Sequence, residues 1–192
     1  QPETKTNPEI WMLGTSNYGA QLAAYLGIPY CFAHFITDGQ GMKNAIDLYK
    51  SEFRPSKNLK KPLVTVCLWA LTANTEKEAK YLFSSRAAWK IGRNFGHLAP
   101  ITDPDNALNI ISVNDWEKEY EFMYNKSMVG DINLVYDKIN VLVKDNDIDE
   151  IAVLTWCHNK SDRIKFYELL GKSFNLNSES NLQETCISAK SK

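Results

Sequence analysis

Apolar residues along this chain fall in short runs separated by stretches with helical spacing. Ile10 to Leu13 is the first run and Gly14 breaks it, after which Thr15, Ser16 and Asn17 supply the residue types that favour a helix N-cap. Tyr18 to Leu26 then places small and apolar residues at helical intervals. Gly27 stands where a C-terminal cap belongs, and Pro29 prevents the helix from continuing. A second apolar run, Tyr30 to Ile36, follows at once. Strand, short helix and strand in so few residues point to parallel pairing through a right-handed crossover.

The pattern repeats downstream. Gly39 to Gly41 reads as a loop and Met42 to Phe53 as a helix stopped by Arg54-Pro55. Leu63 to Leu71 is almost continuously apolar, as expected of a strand covered on both faces. Thr75 and Glu78 form a capping box that opens a helix running to about Ile91, with Ala79, Leu82, Phe83, Ala87 and Trp89 on its apolar face. A less regular section follows from Gly92 to Ile111, containing Pro100, Asp103, Pro104 and Asp105, and Asp115 to Asn125 reads as a short helix. Gly130 to Asp145 is the next predicted helix, Ile151 to Trp156 the fourth predicted strand, and Ser161 to Phe174 an amphipathic helix. From Asn175 the chain is polar and serine-rich, which predicts a disordered tail over 175–192.

Strand and helix thus alternate four times, with an insertion at about 92–128. The fold class is α/β with four parallel strands and flanking helices. Four strands cannot close a barrel, whose smallest well-packed form has about eight. The sheet is therefore either small and open or one half of a (β/α)8 barrel. In both cases the turn after Leu13 lies at a strand's C-terminal end and a helix's N-terminus. Backbone N–H groups and the positive end of the helix dipole converge there, a generic anion site.

Composition narrows the partners. The 192 residues carry a net charge of −1, which gives no electrostatic reason to expect nucleic acid or an anionic membrane. The one basic cluster, Lys57 to Lys61, reads as a solvated loop. Cys31, Cys67, Cys157 and Cys186 show neither CxxC spacing nor the density of a disulfide scaffold, so reduced thiols and a cytoplasmic location are the expectation. No apolar run reaches the roughly 20 residues that span a bilayer, and the sequons at Asn125 and Asn159 are read as chance. The first residue is Gln1, and a strand follows within ten residues, as in an excised piece of a longer protein. His97 and His158 have no partners spaced for a metal, and no metal site is expected.

The run from Trp11 to Phe35, WMLGTSNYGAQLAAYLGIPYCFAHF, resembles a segment of the luciferase-like, flavin-dependent monooxygenases with an LGSS-type turn, a QLAA helix core and a GLPYAFA strand. The segment from Lys61 to Leu82 is similar to that family's seventh strand and following helix, and the segment from Met128 to Phe174 to its VG-(D/S) helix, eighth strand and last helix. The resemblance implies the C-terminal half of a TIM (β/α)8 barrel, strands five to eight, over residues 1–174.

It implies reduced FMN as cofactor, with Leu13, Gly14, Thr15, Ser16 and Tyr18 around the flavin phosphate and His34 on the flavin or substrate face. Read without the family, Thr15 and Ser16 are helix caps, a role that uses the same free N–H groups, and His34 is equally a core histidine. Trp69 and Trp156 read as core, and Ser161 and Asp162 as ordinary capping beside Arg163.

The implied reaction inserts one oxygen atom from O2 into a small organic substrate, with reduced flavin delivered by a reductase or, in some relatives, from a nicotinamide cofactor. The family's catalytic base lies in its N-terminal half, so no catalytic residue is assigned here. The expected partner is the missing N-terminal half-barrel or a second copy, because a cut barrel leaves unpaired strand edges. The competing readings are a truncated, non-catalytic protein that binds flavin or another half-barrel, and an unrelated small open-sheet binding protein.

Overall fold

The computed structural model describes residues 8–176. Two compact units divide the chain: residues up to 69 with 140–154, and residues 70–139 with those from 155 onward.

The first unit is a parallel sheet in the order β1 (Met12–Gly14), β2 (Tyr30–Phe32), β3 (Val64–Ala73, here as far as Trp69) and β5 (Glu150–Leu154). Connections run through α1 (Asn17–Leu26), the single-turn α2 (His34–Thr37) and α3 (Met42–Glu52). Ser16 caps α1, its Oγ accepting from the Gly19 N–H at 3.4 Å. Gly27 ends it in the left-handed region, with φ of 61°. Tyr30, Phe32, Val64, Val66 and Leu68 are fully buried on one sheet face together with Ala20, Ala23, Ala45 and Ile46 from α1 and α3. Asp149 binds the start of β3, its carboxylate accepting from the Val64 N–H at 2.7 Å while its own N–H donates to the Val64 carbonyl. The four parallel strands expected from the sequence are present.

β2 is shorter than its apolar run. Only Tyr30–Phe32 pairs with neighbours, and Ala33 turns the chain into α2. Apolar character marks burial rather than strand, and Ala33 is buried without being extended.

In the second unit the C-terminal half of β3 pairs with β4 (Met128–Asp131), and α4 (Glu76–Asn94) packs on α5 (Pro104–Val113), α6 (Glu117–Lys126) and β4. Thr75 Oγ1 accepts from the Glu78 N–H at 3.1 Å and Glu78 accepts from the Asn74 N–H, so the capping box forms. α7 (Ile132–Asn146) and α8 (Lys160–Ser173) complete the elements.

Two expectations for this unit change. The section from Gly92 to Ile111 is not irregular throughout: Pro104 opens α5, and Asp103 caps it through the Asn106 N–H at 3.0 Å. Gly130 and Asp131 do not begin a helix but lie in β4, in register with Thr72 and Ala73. The helix starts at Ile132. The tail expected over 175–192 lies outside the described residues beyond Leu176.

Candidate functional site

The end of β1 and the segment after β2 meet at the same end of the sheet. Gly14 pairs in register with Phe32, and its carbonyl accepts from the Ala33 N–H at 2.9 Å and from the Tyr30 hydroxyl at 3.4 Å. Two bonds thus fix Gly14 from below. Among the described residues other than its chain neighbours, nothing lies within 4 Å of the place a Cβ on Gly14 would occupy.

Thr15, half-buried, leads from this glycine to the exposed Ser16 at the head of α1. The first intrahelical bond runs from the Ala20 N–H to the Ser16 carbonyl at 3.3 Å, so the N–H groups ahead of Gly19 point out of the helix end. Tyr18 stands beside them with 74% of its surface exposed. Leu13 is also exposed, on the sheet face away from the helices, in register with Cys31.

His34 is the first residue of α2, half-buried, one position beyond the Ala33 that bonds to Gly14. Its ring lies against the backbone of Gly39, where a Cβ would come within 2.7 Å of Nε2, and Gly39 has φ of 83°. The loop of Asp38, Gly39 and Gly41, all at positive φ, therefore shapes the floor under the imidazole. Gly14, Thr15, Ser16, Ala33 and His34 form one end of the sheet. No basic side chain belongs to the turn itself, so an anion there is met by N–H groups, a hydroxyl and the helix dipole alone.

Tyr30 is the residue that sequence reasoning missed. The sequence places it in an apolar run, yet its hydroxyl orients the Gly14 carbonyl. Burial pushes the phenol up to about 12, with Cys31 adding to the shift, so it remains a neutral donor. The available signal is general: a tyrosine in a covered strand needs a partner for its hydroxyl.

No protein-family model matches the sequence. Among curated proteins, the chain is 31% identical over 161 residues to the Escherichia coli K12 protein "Luciferase-like monooxygenase", covering 83% of this chain and 48% of that one. Among solved structures, apo-MsnO8 superposes with a TM-score of 0.82 at 27% identity, covering 93% of this chain and 54% of that one. The chain belongs to the luciferase-like monooxygenase family. It spans about half the length of the curated relatives it matches. The fold is shared more widely: the oxygenating constituent of 3,6-diketocamphane monooxygenase from Pseudomonas putida, solved in complex with FMN, superposes with a TM-score of 0.50 at 19% identity over 85% of this chain and 47% of that one. The parallel sheet of this luciferase-like chain, with its flanking helices, is that barrel fold over about half of those proteins' length.

The second unit of the luciferase-like chain holds the remaining residues singled out by sequence. Trp156 follows β5 and meets Trp89 edge-to-face at 5.6 Å, with the buried Arg86 guanidinium 5.8 Å from the Trp156 ring centre. Cys157 contacts the Thr155 hydroxyl, and burial pushes its thiol up. Ser161 and Asp162 do not cap α8. Asn159 occupies that position, without a side-chain cap bond, and Asp162 instead accepts from the Asn159 amide at 3.2 Å. His158 is exposed beside Asn159, and His97 packs on Trp116.

A polar network near the start of α4 has no signal in the sequence. Tyr124 donates to Glu76 at 2.9 Å, Lys165 to Glu78 at 2.9 Å and Lys80 to Glu121 at 2.8 Å, while Lys138 donates to the Ser127 carbonyl at 3.0 Å. These bonds fasten α4 to α6 and to α8, and α7 to the end of α6.

Proposed function

We propose that this chain supplies the C-terminal half of a flavin-dependent monooxygenase, one that uses reduced FMN and O2 to oxygenate a small organic substrate. The observation that carries the reading is the β1–α1 turn: an open Gly14, a hydroxyl at Ser16 and outward N–H groups on a capped helix. This combination suits a phosphate, because helix N–H groups and dipole stabilise the anion without a bound cation. Family membership supports the cofactor class, and the fold likeness to a monooxygenase solved with FMN agrees with it.

Reduced FMN, when bound, supplies the electrons and the oxygen chemistry of this family. The chain's own part is placement. Gly14, Thr15 and Ser16 receive the phosphate, Tyr30 holds the Gly14 carbonyl turned away from it, and Leu13 and Tyr18 border the approach. His34, steadied by Gly39, offers an imidazole nitrogen for a hydrogen bond near the flavin or substrate. Substrate contacts and the proton-accepting group belong to the half of the barrel that this chain does not match.

The test is a titration of the purified chain with FMN, oxidised in air and reduced under anaerobic conditions, followed by flavin fluorescence. Saturable binding is expected, weakened about tenfold in Ser16→Ala, the lower range for losing one hydrogen bond to a charged group. Failure to take up either redox form would reject the assignment of this turn.

Completion of the barrel is part of the proposal. In the first unit, β1 and β5 each pair with one neighbour among the described residues and so stand at the sheet edges, and Leu13 and Ala152 are exposed on them. The proposed partner is a complementary half-barrel on another chain or a second copy of this one. A reductase delivering reduced flavin is the corresponding functional partner. If flavin binds but no added half-barrel restores O2 consumption with a reductase, the chain is a non-catalytic flavin-binding member of the family.

A further inference from the structure

Within the second unit, the C-terminal half of α4, the loop that follows it and the end of α5 line a half-open recess of about 220 Å³. We propose that it is a binding site for a neutral, ring-shaped organic molecule carrying one hydrogen-bond donor, of the phenol or indole class. The proposal rests on the second unit alone and is independent of the flavin assignment.

The cavity exists because small residues stand where larger ones would close it. Ala88 and Gly92 face it from α4 and Ala99 from the following loop, and a Cβ on Gly92 would meet His97 and Trp116 only at 3.6 Å. An apolar cavity of about 150 Å³ already accepts benzene, so this one takes a substituted or fused ring.

Its walls are aromatic and held in place. Trp116 is 8% exposed, stacks on Phe95 at 5.4 Å and 9°, and its backbone N–H donates to the Ile111 carbonyl at 2.9 Å. His97 folds back so that its backbone N–H donates to the Gly92 carbonyl at 2.8 Å, and its ring tilts 59° to Trp116. Trp89 forms the third wall. Flat walls meeting at angles favour a flat ring over a flexible chain, which would lose more conformational freedom on binding.

Charge and hydrogen bonding set the remaining chemistry. Among the described residues, no carboxylate, lysine or arginine lines the recess. Arg93 lines the more open recess that adjoins it across Trp89, His97, Ala99 and Pro100, its guanidinium 5.7 Å from the Trp89 ring centre. An ionised ligand would therefore lose its hydration without a counter-charge. Asn114, on the rim, donates its Nδ2 to the Ile110 carbonyl at 2.8 Å, which leaves its Oδ1 as the amide atom that can accept from a ligand O–H or N–H.

The test uses indole and p-cresol as probes and hexanol as the chain-shaped comparison, with saturation-transfer NMR and calorimetry on the full chain. Ala99→Trp fills the cavity from an exposed loop position without entering a helix. Gly92→Ala narrows it from the other side and is the second variant if the first does not fold, folding being checked by circular dichroism. The expected result is saturable binding of both ring probes, tighter than hexanol, and at least tenfold weaker in the folded variant. No saturation up to the solubility limit, unchanged affinity in a folded variant, or tighter binding of hexanol would overturn the proposal.

Discussion

Gly27 shows how much a single residue decides here. Its φ of 61° ends α1, and a Cβ at this position would clash with the Arg54 carbonyl oxygen. The left-handed conformation costs a non-glycine residue about 1–2 kcal/mol, and the backbone contact adds to it. Gly27→Ala should destabilise the protein by about 2 kcal/mol or more, read as a lower urea midpoint with an unchanged slope.

The thiols give a second expectation at this scale. Burial and the neighbouring Cys67 raise Cys31 to about 11, and burial raises Cys67 and Cys157. Only the thiolate reacts, so a rise of about two pH units above an ordinary thiol lowers it about a hundredfold at neutral pH. Iodoacetamide labelling at pH 7.5, read peptide by peptide by mass spectrometry, should leave Cys31 far behind a free cysteine, and the gap should close as pH rises towards 11. Rapid labelling of Cys31 at neutral pH would contradict this. Ser16 and Gly27 were readable in sequence because capping depends on the next few residues. The bond from Tyr30 to Gly14 was not, since the two are brought together by strand pairing.

At the level of elements, α4 connects local sequence to stability most directly. Its first turn holds Glu78, which the hydrogen bond from Lys165 keeps below the usual carboxylate range, with the Asn74 N–H helping. A carboxylate with a lowered folded-state value stabilises the fold above its unfolded value, near 4.5, and loses that contribution as pH falls through the folded value. Wild-type stability should therefore decline below about pH 4.5 more steeply than that of Glu78→Gln, which should also be the less stable of the two at pH 7. Parallel acid limbs in urea titrations would show that the Glu78 pair contributes nothing. The capping box was legible from Thr75 and Glu78 alone; the ion pair with a helix 87 residues away was not. α5 carried a signal, Asp103 before Pro104, that serves a turn and a helix start equally well, and only packing against α4 selects the helix. β4 has four residues, too few for periodicity to register, and becomes a strand because β3 offers it a ladder.

For the whole molecule, the sheet of the first unit governs behaviour in solution. Among the described residues, β1 and β5 each have one paired side, and sheet edges associate unless covered. Light scattering across a concentration series should give a mass above the 21.9 kDa of one chain, or a shift to a defined complex when a complementary half-barrel is added. A monomer at every concentration that ignores the added half would refute the completed-barrel proposal. Among the described residues no helix is long and apolar enough to cross a membrane. The parallel α/β class and the family were both recoverable from the sequence, since each strand and its following helix form a contiguous segment.

The sequence by itself determined what short-range physics governs: the strand runs, the capped starts of α1 and α4, the glycine stop at Gly27, and the motif order that marks the family. Tertiary structure decided what depends on residues distant in the chain. It cut β2 short at Phe32, created β4 beside β3, set Tyr30 under the Gly14 carbonyl and opened a cavity among Trp89, His97 and Trp116. Capping and periodicity act within a few residues, whereas strand pairing, a partner for a buried hydroxyl and a void between helices arise only after the elements have packed.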